Sequence, residues 1–253
     1  VVAVFGWRKV GNILLLENET TDYSSPKFTP YVLDPRPGAI HVPVTDLDGD
    51  GDPDFVALIS QHHETIIAFL NDGSGGFRKE TIFRATHPNW GATGIQLVDM
   101  DSDGDLDILS SNGDSLDDLV PKPYHGIQWF ENSGSYPFKQ HLLTKLYGCN
   151  AAKAADIDGD GDVDIFASVF LPYIRKETPG SESVESLIWL EQVKPGRFER
   201  YSLEKFTCFH PTLDLGDFDG DGDLDLVVGN MTMARKKGAT LPYWAVLWRN
   251  QGR

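Results

Sequence analysis

Four nine-residue stretches of the chain read DLDGDGDPD from Asp46, DMDSDGDLD from Asp99, DIDGDGDVD from Asp156 and DFDGDGDLD from Asp217. Each sets five carboxylates at alternate positions: Asp46, Asp48, Asp50, Asp52 and Asp54; Asp99, Asp101, Asp103, Asp105 and Asp107; Asp156, Asp158, Asp160, Asp162 and Asp164; Asp217, Asp219, Asp221, Asp223 and Asp225. Twenty of the 27 aspartates of the 253-residue chain lie in these stretches, whereas a solvating surface would scatter its acid and mix Glu with Asp. Carboxylates so spaced repel one another and disfavour a folded loop until a cation joins them. A hard divalent ion taking about six to eight oxygens is the natural partner, and Ca²⁺ suits a flexible loop better than Mg²⁺. Positions 1, 3, 5 and 9 can give side-chain oxygens. Position 7 (Asp52, Asp105, Asp162, Asp223) gives most naturally its backbone carbonyl. Glycine at position 6 (Gly51, Gly104, Gly161, Gly222) permits the left-handed turn around the ion. The expectation is about four calcium ions, one per stretch.

An EF-hand would need Glu at position 12, where this chain has Ala57, Ser110, Ala167 and Val228. The residues that follow (FVALI, ILSS, IFASV, LVVG) read as buried strands, so each loop is expected within a β-hairpin. Before each loop lies a strand of small and apolar residues, such as AIHVPVTD or AAKAADI. After it come an apolar strand ending in a polar turn (FLND at Phe69, WFEN at Trp129, WLEQ at Trp189, WRNQ at Trp248, and an earlier LLEN at Leu15) and strands opening with Phe28, Phe77, Phe138 and Phe198. The loops start 53, 57 and 61 residues apart, a spacing that marks one supersecondary unit copied along the chain. The predicted fold is therefore all-β, a β-propeller of four-stranded antiparallel blades. About five blades are expected: residues 1–36 (partial), 37–89, 90–146, 147–207 and 208–253 (incomplete). On this reading residues 1–253 form a single propeller domain, or a fragment of a propeller of six to eight blades. The Trp and Phe of the third strands are expected to pack between blades.

The aspartate-rich loop, the apolar strand and the W-x-E-N turn resemble the VCBS/FG-GAP repeat family across essentially the whole chain. The resemblance implies calcium-binding propellers, with the twenty aspartates above as the ligand positions. Some relatives are lectins, and some propellers of this kind are polysaccharide lyases. Two departures stand out. Ser102 replaces glycine at position 4 of the second loop and should strain or re-aim that turn. Asn71 and Asn250 stand where the Glu of W-x-E-N is expected.

In an up-and-down blade the acidic loops share one face, and the long irregular loops (Asn112–Gly126, Phe170–Ser186, Asn230–Trp244) fall on the other. That second face is expected to collect Trp7, Arg8 and Lys9; His62 and His63; His87 and Trp90; Tyr147; and Arg235, Lys236 and Lys237, a set suited to a protein or glycan ligand. If the chain were a lyase, Tyr124, His125, Tyr173, Arg175 and His210 would be the catalytic candidates. No Ser-His-Asp, HExxH, P-loop or nucleophile-elbow pattern is present. The leading expectation is a non-catalytic, calcium-stabilised interaction or scaffold module outside the cytosol: extracellular, cell-surface or periplasmic. Carbohydrate binding or cleavage is the alternative, and an accessory role beside further blades or domains of the same polypeptide is a third. A formal charge of −16 argues against nucleic acid as a partner, and no apolar run approaches the length of a membrane span. Cys149 and Cys208 fall in successive inter-blade connections, where they could pair, though free buried thiols are expected.

Overall fold

The computed structural model describes residues 1–6, 9–116, 118–174, 180–233 and 243–252. Among these residues regular structure is almost entirely antiparallel strand, with one 3₁₀ turn at Ser181–Ser183 and no helix long and apolar enough to cross a membrane. The chain divides into two compact units, residues 1–92 with 134–138, and residues 93–133 with 139–253.

The first unit holds two sheets. β1 (Val2–Val4), β2 (Asn12–Asn18) and β3 (Phe28–Asp34) pair in sequence order. The second sheet runs β4 (Ala39–His41), β6 (Asp54–Ile59), β7 (Thr65–Asn71) and β8 (Phe77–Arg84), with β5 (Val44–Thr45) also on β6. Its first strand is split because Pro43 has no N–H to give the ladder, although its carbonyl still accepts from Val56 N at 3.0 Å. All six residues of β6 are buried. Phe55 stacks on Phe69 at 4.3 Å and meets Phe77 edge-on at 5.5 Å, within a core that includes Ile13, Ala57, Ile59 and Ile67.

The second unit holds three sheets. β9 (Ala92–Val98), β10 (Asp107–Asn112), β11 (Gly126–Glu131) and β12 (Lys139–Lys145) form one, though Ala92 itself belongs to the first unit. β13 (Cys149–Ala155), β14 (Asp164–Val169), β15 (Glu185–Lys194) and β16 (Arg197–Lys205) form the next, and β17 (Thr212–Gly216), β18 (Asp225–Gly229) and β19 (Ala245–Trp248) the last. The strands after the acidic loops, β10 and β14, are wholly buried. Their Ile and Leu side chains each contribute about 1.5–3 kcal/mol by leaving water. Leu109, Ile127, Trp129, Ile165, Val169 and Ile188 build one core of this unit, and Phe166, Leu187, Leu213, Leu226 and Val228 another. Trp129 thus packs as expected, while Trp189 and Trp248 lie half-buried against the second core.

One feature recurs in all four complete third–fourth strand pairs. The register slips by one residue, leaving Leu33, Ile82, Leu143 and Leu203 as the extra residue of the fourth strand. These strands are otherwise mostly exposed or half-buried. The bulge turns one apolar side chain inward, and Ile82 is 0% exposed.

Cys149 and Cys208 are free, buried and part of one core cluster. Burial pushes the Cys149 thiol up to about 12 and raises that of Cys208, so neither is a ready nucleophile.

Candidate metal centre

Each aspartate-rich stretch joins the first and second strands of its sheet, and the four are built alike. The position 1 carboxylate folds the loop over itself. Gly49 N and Gly51 N donate to Asp46 at 2.9 and 3.0 Å, Gly159 N and Gly161 N to Asp156 at 2.8 and 3.1 Å, and Gly220 N and Gly222 N to Asp217 at 2.6 and 3.1 Å. Position 5 accepts the amide of position 7 in every loop, at 2.9–3.1 Å. Gly51, Gly104, Gly161 and Gly222 have φ of 94° to 97°, the left-handed turn expected at position 6.

The second loop departs as its serine suggested. Ser102 holds φ +62°, the conformation that glycine takes at this place in the other loops. The bond to Asp99 Oδ1 comes from the next amide, Asp103 N, at 3.2 Å. The turn is strained and its donor is shifted by one residue.

Position 9 closes each loop from below. Asp54, Asp107, Asp164 and Asp225 are at most 1% exposed. One oxygen of each accepts a backbone amide at the end of the third strand: Asn71 N at 2.7 Å, Asn132 N at 2.7 Å, Gln192 N at 2.8 Å and Asn250 N at 2.9 Å. In three loops the second oxygen accepts the amide of position 2, from Leu47, Met100 and Phe218. This arrangement corrects one alignment read from the sequence. Asn71 and Asn250 are the counterparts of Asn132 and Gln192, not of Glu131. In the same register Trp248 matches Phe130 and Leu190, because Leu226 faces Trp248 as Ile108 faces Phe130 and Ile165 faces Leu190. One residue of slip turns a strand side chain to the other face.

Carboxylates of each loop converge. Oxygens of Asp46, Asp48 and Asp50 lie within 4.8 Å of one another, as do those of Asp99, Asp101 and Asp107, of Asp156, Asp158 and Asp160, and of Asp217, Asp219 and Asp225. These are positions 1, 3, 5 and 9. The side chains of position 7 join none of these groups among the described residues. Asp52 and Asp223 instead face Gly73 and Gly252, where a Cβ would lie 2.5 and 2.8 Å from their carboxylate oxygens.

The donor set fits a hard cation. Asp101 Oδ1 and Asp164 Oδ2 are buried acceptors without a hydrogen-bond partner in the protein, as is Asp162 Oδ1. Burial pushes Asp107 up to about 6 against the amides of Asn132 and Met100, and pushes Asp164 up to about 7. Burial first, then neighbouring carboxylates, also raise Asp48, Asp101 and Asp219. Without a cation these groups are costly as anions, and a divalent ion reverses that balance. The indoles of Trp129 and Trp189 lower Asp107 and Asp164 in turn, although neither buried Nε1 closes a hydrogen bond of ordinary geometry. The sequence offered no sign of this contact.

Four of the five residues named as catalytic candidates sit elsewhere in the second unit. His125 is 0% exposed, its Nε2 has no partner, and burial, then the Lys122 charge, pushes it down to about 4. Tyr124 packs edge-on against it at 5.7 Å. Tyr173 shares a hydrogen bond of 2.7 Å with Ser115 and packs on the core. His210 is 4% exposed, with Nδ1 at 2.6 Å from Asn230 Oδ1 and Nε2 at 2.5 Å from Glu204. Both ring nitrogens thus have partners within the protein. Arg175 lies outside the described residues, as do Trp7, Arg8, Arg235, Lys236 and Lys237.

The FG-GAP-like repeat matches residues 46–110 and 112–167, and the FG-GAP repeat matches residues 211–236. No curated protein matches the sequence. Among solved structures, an Agrocybe aegerita lectin that recognises non-reducing terminal N-acetylglucosamine is similar with a TM-score of 0.55 and 14% identity, over 90% of this chain and 60% of that one. The V. cholerae biofilm matrix protein Bap1 is similar with a TM-score of 0.45 and 18% identity, over 87% of this chain and 31% of that one. The chain thus spans about 60% of the lectin's length, and that likeness is one of fold. With an acidic loop in each of the matched stretches, which together make up more than half of its length, the chain belongs to the FG-GAP repeat family.

Proposed function

We propose that the chain is a calcium-stabilised, non-catalytic binding module whose sheets are blades of a β-propeller. One Ca²⁺ occupies each acidic loop, held by side chains at positions 1, 3, 5 and 9 and by the carbonyl of position 7. The observation that carries this reading is the fourfold recurrence of three converging carboxylates, positions 1 and 3 with either 5 or 9, in a loop closed by a buried position 9 aspartate that accepts a backbone amide from the third strand. A catalytic ion needs an open coordination site beside substrate-handling groups. These loops lie instead at hairpin turns, where an ion would tie two strands together. Loops of modest affinity would stay filled where calcium is millimolar, and this argument favours the cell surface, the outside of the cell or the periplasm.

The ligand, a protein or a glycan, is taken by the face opposite the calcium loops, where the hairpin tips and inter-sheet connections vary in length. Carbohydrate recognition is the second reading, and the fold likeness to an N-acetylglucosamine lectin accords with it. Cleavage of a polysaccharide has less support, because His125 and His210 are buried and neither offers a free base to solvent. The test is calorimetric titration of chelator-stripped protein with Ca²⁺ and, separately, Mg²⁺. The expected result is about four Ca²⁺ per chain with weaker Mg²⁺ binding. Binding of fewer than two Ca²⁺, or a preference for Mg²⁺, would overturn the reading.

A further inference from the structure

Three segments of the first unit meet away from its acidic loop. The connection from β3 to β4 brings Arg36, the tip of the β6–β7 hairpin brings His62, His63 and Glu64, and the chain leaving β8 brings Arg84 and His87. Together they line a cavity of about 350 Å³, at the lower end of the roughly 300–1,000 Å³ usual for small-molecule sites. The tip is firmly built. Gln61 and Glu64 hold φ of 62° and 39°, left-handed backbone at two residues that are not glycine. His63 N donates to Ser60 O at 3.3 Å, and Ala85 N to Glu64 O at 2.9 Å.

The charge of this cavity runs against that of the chain. Both nearby carboxylates are already committed. Asp34 takes Arg36 Nε at 2.8 Å, Arg36 Nη2 at 2.7 Å and Lys79 Nζ at 3.2 Å. Glu64 takes Ala92 N at 3.0 Å. Burial pushes Asp34 up, but the Arg36 and Lys79 bonds outweigh it and hold the carboxyl at about 2, firmly an anion. Arg36 Nη1 stays outside its fork with Asp34. Arg84 makes no ion pair among the described residues. Burial first, then the charge of Arg36, lowers His63; the charge of Asp34 opposes this, and His62 and Arg84 add smaller lowering effects. A metal ion is a poor occupant. No group of three His, Cys, Asp or Glu ligand atoms converges here among the described residues, and two guanidinium groups repel a cation.

We infer that this cavity binds a carboxylate-bearing sugar, a uronate residue of an acidic polysaccharide. A planar carboxylate matches the guanidinium fork of Arg84, and Arg36 Nη1 can add a further charge-assisted bond, the strong kind at such a site. Imidazole groups suit sugar hydroxyls, and Ala85 and Pro88 supply little apolar floor, so a polyol fits better than an apolar ligand. The inference rests on the reading of the chain as a binding module and does not require metal in the loops.

Calorimetry on the full chain at fixed saturating calcium tests it. The probes are a galacturonate trisaccharide, a neutral galactose trisaccharide, a sulfated galactose trisaccharide and inorganic sulfate. The galacturonate probe should bind, and added NaCl should weaken it. Arg84→Gln and His63→Gln should each weaken it about tenfold or more, without lowering the melting temperature. Equal or tighter binding of any other probe overturns the assignment, and so does the absence of galacturonate binding. Galacturonate binding unchanged in both variants places it elsewhere, for example on loop calcium, and also overturns it. The calcium-dependent melting shift of Arg84→Gln, measured in parallel, reports on the loops alone, so failure of the pocket and failure of the calcium reading are separable.

Discussion

At the scale of single residues the five aspartates of a loop are not equivalent, and the difference is testable without any metal. Asp107 is 1% exposed and carries the amides of Met100 and Asn132, whereas the Asp105 side chain is exposed and belongs to no carboxylate cluster among the described residues. Asp107→Ala strands two buried donors and should cost about 2–4 kcal/mol. Asp105→Ala should fall within about 0.5 kcal/mol of wild type, because its exposed side chain holds no buried donor. Urea unfolding of the two variants in chelator measures both, and equal costs would show that position 9 is not the pin. His125 gives a second residue-scale test. Its folded pKa of about 4 lies below the ordinary 6.5, so below pH 6.5 the unfolded chain binds the proton and the folded one resists it. Wild type should therefore lose about 3 kcal/mol relative to His125→Gln as pH falls from about 6.5 to 4. A stability difference that stays flat with pH would mean that the imidazole is not held neutral by burial.

At the scale of elements, what could be read from the sequence followed from how local its physical cause was. The acidic loops and the buried strands behind them were legible because repulsion among close carboxylates and continuous apolar runs such as FVALI are properties of adjacent residues. The third-strand register was not legible from Trp and Phe, since an aromatic side chain packs on either face of a sheet. The marker that the structure reveals is the amide that reaches position 9, at Asn71, Asn132, Gln192 and Asn250. The bulges were also hidden, because an extra residue breaks the period of two by which strands are recognised. Their effect is measurable at Ile82, in a strand whose burial otherwise reads as solvated. Ile82→Ala should cost about 2–5 kcal/mol, as in a core, while Thr81→Ala one residue earlier should cost under about 1 kcal/mol. Similar small costs in chemical unfolding would show that the bulge is incidental. The cationic cavity was only partly legible: His62, His63 and His87 were expected on one face, but Arg36 and Arg84 were not. Its parts, Arg36, His62 to Glu64 and Arg84 to Pro88, are brought together only by strand pairing.

For the whole molecule the decisive quantity is charge at short range. The chain carries −16, and four bound Ca²⁺ would halve that to about −8. Diffuse repulsion over the surface is screened beyond about 8 Å at physiological ionic strength. The clustered oxygens, within 4.8 Å of one another, sit inside that distance, where monovalent salt has little effect. Two kinds of repulsion should therefore separate in one experiment. Chelator-stripped protein should melt markedly lower than the calcium form. Added NaCl should recover a minor part of the loss, the part that belongs to net charge, and Ca²⁺ should recover the rest. A site filled at 100 times its dissociation constant contributes about 2.7 kcal/mol, which for a chain of this size corresponds to roughly 5–10 °C per site. NaCl should also act more weakly on the calcium form, because half of the net charge is then neutralised. Full recovery by NaCl alone would mean that the loops repel only as part of an acidic surface, and that no ion is needed to close them.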